Sequence, residues 1–297
     1  MSRSATLRPP TVMLLAIVLA VLTHRSAFAQ QAANGNAATA ATANQADGDE
    51  AADVAKQLAN PIANLVSIPF QFNWQNHIAP FDSTRFLLNF QPVVPFTLND
   101  DWNLIARFIL PFLGQPAMSV GGIPQSGTSD ITFSLFFSPS KSKLIWGVGP
   151  AFGIPTTTNP ALTSGKWSVG PTGVVLRQEG HWTVGTLVNQ LWSYASVANY
   201  FHRPVNQMFL QPFVAYQMEH AVTLTVDTES TFDWEAESDQ KATVPIIGLI
   251  SKVTKLGPFP FSIQGGAGYY VARPEGAQRW LVRLNFVLIL PREHKKA

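Results

Sequence analysis

Trp280-Leu281-Val282-Arg283-Leu284-Asn285-Phe286-Val287-Leu288-Ile289-Leu290 is the stretch whose reading decides the fold. Side chains of a strand alternate between its two faces. Trp280, Val282, Leu284, Phe286, Leu288 and Leu290 therefore share one side, and Arg283 and Asn285 take the other. From Ala63 onward the chain is a train of such segments, each roughly ten residues long, with Gly, Asn, Gln, Thr, Ser or Arg at the alternate positions. A soluble barrel turns its apolar side inward. Behind a secretory signal, a dozen such strands read instead as a transmembrane antiparallel β-barrel, an all-β fold with its apolar side to lipid and its polar side to a lumen.

The signal occupies residues 1–29. Arg3 and Arg8 precede the apolar run Val12–Leu22, and Ala27-Phe28-Ala29 supplies a small-x-small cleavage site, so the mature chain is expected to begin near Gln30. The run is too short to cross about 30 Å of hydrocarbon as a helix. The expected destination is the outer membrane. With no cysteine in the chain, disulfide frameworks and thiolate metal sites are excluded. Twenty basic and 18 acidic residues leave a net charge of +2 and no basic stripe, which argues against a nucleic-acid partner.

Residues 30–49 are Ala, Asn, Thr, Gln and Gly with few bulky side chains, and they are expected to form a disordered periplasmic leader. A short helix is predicted over residues 50–60. Ala51, Val54, Ala55 and Leu58 share one face of it, Asp49 suits its cap and Pro61 ends it. Two placements stay open for this helix: resting at the barrel mouth, or inside the lumen as a plug.

The barrel is predicted over residues 61–291, with a tail at 292–297. Twelve strands are expected, from Val66–Trp74 to Gln278–Leu290. Short turns near 99–101, 139–142, 178–180, 218–220 and 255–258 alternate with longer links near 76–83, 113–128, 155–165, 193–205, 230–242 and 271–277. Short turns face the periplasm in outer-membrane barrels, and an even strand count returns the chain to that side. Pairing Phe96 with Leu104 and Leu98 with Trp102 leaves the three-residue loop Asn99-Asp100-Asp101. Trp102, Trp146, Trp182, Tyr216, Tyr269 and Trp280 lie near strand ends, where aromatic girdles meet the headgroups. Pro92, Pro95, Pro150, Pro171, Pro212 and Pro245 interrupt strands and call for bulges or strand ends.

Alternation assigns Arg85, Asn89, Gln91, Arg107, Asp130, Asp227, Lys252, Gln264 and Arg283 to the lumen. Gly147, Gly149, Ala151 and Gly153 are expected to leave one wall bare and so make room. Arginines in such a place serve either as struts paired with carboxylates or as selectivity residues.

Asn60–Gln71, Asn89–Phe96 running into Asp101–Arg107, and Asn206–Phe213 together resemble the phenol-degradation meta-pathway-type outer-membrane proteins, bacterial barrels often labelled neuromedin U. The resemblance covers roughly Asn60 to Leu290. It implies an outer-membrane barrel with a transporter role, and it supplies no substrate or catalytic residue. Where outer-membrane barrels commonly stop on an aromatic residue, this chain continues past Leu290 with residues 291–297.

Catalytic and cofactor chemistry finds no foothold. His77, His181, His202, His220 and His294 fall in loops, turns or the tail without ligand spacing. There is no Gly-x-Ser-x-Gly elbow, and Gly265-Gly266-Ala267-Gly268 lies within a strand with no helix after it. Asp227, Glu229, Asp233, Glu235, Glu237 and Asp239 gather in an expected outer loop without an EF-hand pattern, and read as a solvated loop or, alternatively, as a place of divalent bridging to lipopolysaccharide. No enzyme, cofactor or metal is expected, although a phospholipase with a lipid-facing Ser and His can use the same fold. The expected function is a narrow channel or transporter for small molecules, which the family resemblance hints are aromatic or hydrophobic. Its expected partners are outer-membrane lipid and lipopolysaccharide, the barrel assembly machinery and the small-molecule cargo. The rival reading is a non-transporting barrel of the envelope.

Overall fold

The computed structural model describes residues 37–197, 203–256 and 259–290. The expected signal peptide, the tail and His202 and His294 lie outside them. The chain divides into two compact units, 1–46 and 47–297, and the second holds the barrel.

Fifteen strand segments form one closed antiparallel sheet. They are β1 (Val66–Ile78), β2 (Ser83–Phe90), β3 (Val93–Thr97), β4 (Trp102–Gln115), β5 (Gln125–Thr128), β6 (Ile131–Pro139), β7 (Ile145–Ile154), β8 (Lys166–Glu179), β9 (Trp182–Ser196), β10 (Asn206–Gln217), β11 (Val222–Asp227), β12 (Ser230–Asp233), β13 (Ala242–Leu256), β14 (Phe259–Ala272) and β15 (Trp280–Leu290). The pairs β2/β3, β5/β6 and β11/β12 each continue one span, which gives a twelve-stranded barrel. Pairing of β1 with β15, in register from Val66↔Leu290 to Asn76↔Trp280, closes it. Closure matters because hydrocarbon offers no water to satisfy an open sheet edge.

Prolines mark the breaks. Pro92 falls between β2 and β3, the Pro212 carbonyl accepts from Thr228 between β11 and β12, and a register shift separates Val244 from Pro245. Pro150 and Pro171 stand opposite each other as a non-hydrogen-bonded pair, so their missing donors face the flanking strands β6 and β9, where the pairing is interrupted. The first hairpin differs from expectation. β1 runs on to Ile78 and its connection is the tight turn 79–82, not a long link.

The outer face is an apolar belt. Phe108 and Phe133 stack at 4.3 Å, and Phe72 meets Phe86 at 6.3 Å and Phe286 at 6.0 Å. Trp102 packs on Trp146 at 6.0 Å and Trp182 on Tyr216 at 4.7 Å at the short-turn rim. Tyr269 and Trp280 pair at 4.7 Å near the opposite rim. The Asn99 turn has the anticipated register, with Phe96 opposite Leu104. Its Asn99 Oδ1 accepts from the backbone N–H groups of Asp101 and Trp102, at 3.0 and 2.8 Å.

The helix α1 spans Ala37–Leu58 and starts well before the expected Glu50. Alanine has the highest helix propensity of any residue, so the small side chains that argued for disorder favour helix instead. Residues 30–36 lie outside the described part. Val54 and Ala55, with Ala51 and Leu58, pack against Ala221, Val253, Val287 and Ile289 at the short-turn end of the lumen. Four polar contacts add to this. Gln217 Nε2 donates to the Ala52 carbonyl at 2.6 Å, Gln178 Nε2 to the Lys56 carbonyl at 2.8 Å and Lys56 Nζ to the Gly180 carbonyl at 3.4 Å, while Lys255 pairs with Glu50 at 2.9 Å.

Candidate functional site

Inward-facing residues divide the lumen into two unlike halves. On one side Ile105, Phe136, Val174, Leu176, Leu187 and Phe213 form an apolar cluster, and Ile62, just after the helix, packs into it. A Cβ on Gly147 would stand 3.1 Å from the Ile62 side chain and 3.2 Å from Phe136, and one on Gly153 would collide with Ser168. The wall expected to be bare is therefore filled, at Gly147 by Ile62 from the segment after the helix and at Gly153 by the neighbouring Ser168.

The other half carries the polar groups, beside a smaller apolar patch of Ile247, Leu249 and Leu281. At its middle, opposite Asn73 in register, Arg283 donates from Nη1 and Nη2 to the two oxygens of Glu229 at 2.8 and 2.7 Å and from Nε to Asn73 Oδ1 at 2.8 Å. Only 5% of the Arg283 side chain is exposed. A buried, bidentate, hydrogen-bonded pair of this kind is a strut across the interior. The sequence places Glu229 in a solvated outer loop. The strand instead breaks only at Thr228 and Glu229 and resumes at Ser230, and Glu229 turns inward at the level of Arg283. The signal lies in the alternation: Leu224, Val226, Phe232 and Trp234 alternate with polar odd-numbered positions, so the strand pattern extends past Glu229.

Arg85 is anchored differently. It donates to Gln75 at 2.7 Å, Gln278 at 3.2 Å and Gln115 at 3.4 Å, and shares a vestibule of about 420 Å³ with Asn89 on the long-loop side of the strut. A wider mouth of about 960 Å³ lies at the long-loop rim, bordered by His77, Asp82, Asp239, Arg273 and Glu275. His77 Nδ1 and Asp82 Oδ1 are 2.6 Å apart there.

Between strut and helix lie two cavities of about 200 and 180 Å³, both lined by Leu58, Ala59, Pro61, Gln91, Arg107, Gln264 and Asn285. Arg107 makes one hydrogen bond among the described residues, from Nη2 to Gln91 Oε1 at 3.1 Å. Gln91 also reaches Gln71, and Asn285 donates to Gln264 at 3.3 Å. Asp227 borders the larger cavity. Its Oδ2 takes a long bond from Gln211 at 3.4 Å and its Oδ1 has no partner among the described residues.

Of the nine residues assigned to the lumen, Arg85, Asn89, Gln91, Arg107, Asp227, Gln264 and Arg283 line these cavities. Two do not. Asp130 braces the link after β7, accepting from Thr163 Oγ1, Ser164 N and Ser164 Oγ at 2.5 to 2.7 Å. Lys252 is exposed on the outer face that also carries Ile246 and Ile250. Its strand is apolar on both faces, since Ile247, Leu249 and Val253 pack inward, and alternation alone could not separate the two. Among the described residues no group of three or more His, Cys, Asp or Glu is placed to hold a metal ion.

The chain is similar in fold to an outer membrane channel from Pseudomonas putida F1, at 16% identity and a TM-score of 0.58 over 76% of this chain and 96% of that one. At that identity the likeness establishes the barrel fold alone. The NanC porin aligns at 10% identity and a TM-score of 0.48, covering 76% of this chain and all of that one (100%). The outer membrane phospholipase A of Escherichia coli aligns at 11% and 0.44, over 81% and 98%. No family model and no curated protein sequence matches the chain.

Proposed function

We propose that this protein is a narrow outer-membrane channel for small molecules, held closed at its periplasmic end by the N-terminal helix. The observation that carries the reading is the row of polar cavities inside a barrel whose outside is apolar: mouth, vestibule, strut and inner chamber follow one another toward α1. Water-lined interiors behind lipid-facing belts are how barrels pass solutes. A twelve-stranded barrel stands between the eight-stranded kind, filled by side chains, and the sixteen-stranded open pore. Here half the section is filled by the apolar cluster, so passage would follow the polar half. The short-turn rim is then periplasmic and the longer links face outward. The motif resemblance to the phenol-degradation-type barrels and the fold of the P. putida channel agree with the reading. The polar lining favours small polar cargo over the aromatic or hydrophobic cargo that the resemblance hints at.

One observation favours the rival reading of a structural barrel: the Arg283–Glu229 strut and the helix both cross the path. Swelling of proteoliposomes in solutions of small sugars or amino acids separates the two. Swelling by the protein with residues 30–59 removed supports a channel, and its absence in both full-length and shortened forms supports the structural barrel.

A further inference from the structure

The three inward-facing arginines are not equivalent, and the difference points to a ligand. Arg283 spends its donors on Glu229 and Asn73, and Arg85 spends its donors on three glutamines. Arg107 spends one on Gln91 and turns the rest of a five-donor fork into the chamber between strut and helix. Such a fork matches a carboxylate, which it can hold through two parallel bonds.

The same chamber carries acceptors without donors. Thr223, a residue 5% exposed, and Asn285 line the smaller cavity and Asp227 borders the larger, and Thr223 Oγ1, Asn285 Oδ1 and Asp227 Oδ1 are buried without a partner among the described residues. Buried acceptors left unmade are costly, and a group that brings donors relieves them. Ser251 and Thr225 add hydroxyls to the same lining, while Leu58 and Val287 give it an apolar floor. Hydroxyl groups on a ligand both donate and accept, so they suit a wall that mixes unpaired oxygens with hydroxyls.

We propose that this chamber is a binding site for a small hydroxylated carboxylate of the sugar-acid type. The carboxylate lies against Arg107, the hydroxyls against Thr223, Asn285 and Asp227, and the carbon skeleton on Leu58 and Val287. The assignment rests on the channel reading for its role in transport, and names the class of solute held between the strut and the helix.

Calorimetric titration of the full chain in detergent with D-glucuronate, D-glucose and hexanoate tests it. Glucuronate should bind, with glucose and hexanoate at least about tenfold weaker, the weight of one charge-assisted contact or of several hydroxyl bonds. Arg107→Gln should lose a similar factor. Equal binding of hexanoate removes the need for hydroxyls, equal binding of glucose removes the role of Arg107, and no binding of glucuronate leaves a chamber that holds water only; each overturns the proposal. Should Arg107→Gln fail to fold, as judged by heat-modifiable mobility, Asn285→Ala takes its place, and undiminished glucuronate binding by that variant overturns the site equally. Proteoliposome swelling by the protein with residues 30–59 removed keeps the two readings apart. Binding by the full chain without swelling by the shortened one sinks the channel and leaves the site, and swelling without binding sinks only the site.

Discussion

Arg283 shows what a buried charge demands of its neighbours. Removing one partner of a buried ion pair strands the other, which costs about 3–5 kcal/mol, whereas removing both is often close to neutral. Arg283→Met should therefore lower stability by about that amount, and Arg283→Met combined with Glu229→Gln should recover most of it, as read by urea midpoints of the refolded protein in detergent. Equal loss in the single and double variants would show that the strut is not what holds this layer. At this scale the sequence was legible where a polar residue alternates with an unbroken apolar outer row: Arg283 and Asn285 alternate with Val282, Leu284 and Phe286, and Arg107 with Ala106 and Phe108. It was illegible on β13, where the inner face packs on the helix and on neighbouring apolar residues and leaves no contrast to place Lys252. Asp130 has the inward parity of its strand, but alternation says nothing of the Thr163 and Ser164 contacts that hold it.

Among the elements, the hairpins were the most readable. Same-face partners fix register once the turn is known, and Phe96 opposite Leu104 follows from the Asn99 turn alone. The helix was half readable. Its apolar face, Ala51, Val54, Ala55 and Leu58, is the face that docks, while the alanines of 37–49 favour helix but bring too little apolar bulk to mark a docking face. Isolated helices shorter than about 12–15 residues are marginal in water, and the added length together with docking removes that weakness. Ile62 was the residue that no local pattern could assign, because its partners Ile105, Phe136 and Leu187 lie on three separate strands. The orientation of the elements has a direct check. Protease sites inserted at Gly122 or Asp239 should be cleaved on intact cells, and sites at Gly180 or Glu219 only after the outer membrane is permeabilised. The opposite pattern would invert the topology.

For the molecule as a whole, two features of the chain act against each other. The closed ladder and the apolar belt make a wall that hydrocarbon tolerates, and the polar half of its interior makes a path. The helix, held by Val253, Val287 and Ile289 inside and by Gln178 and Gln217 at the rim, ends that path. None of its residues supplies a barrel-closing pair, since closure begins at Val66. Deleting residues 30–59 should therefore leave the barrel folded and remove the obstruction. The decisive measurement is single-channel conductance in planar bilayers of the full-length protein against this deletion. Small or absent steps are expected from the full chain and larger, steady steps from the shortened one, with unchanged heat-modifiable mobility. Identical conductance in a correctly folded deletion, whether open or silent, would show that the helix does not close the path.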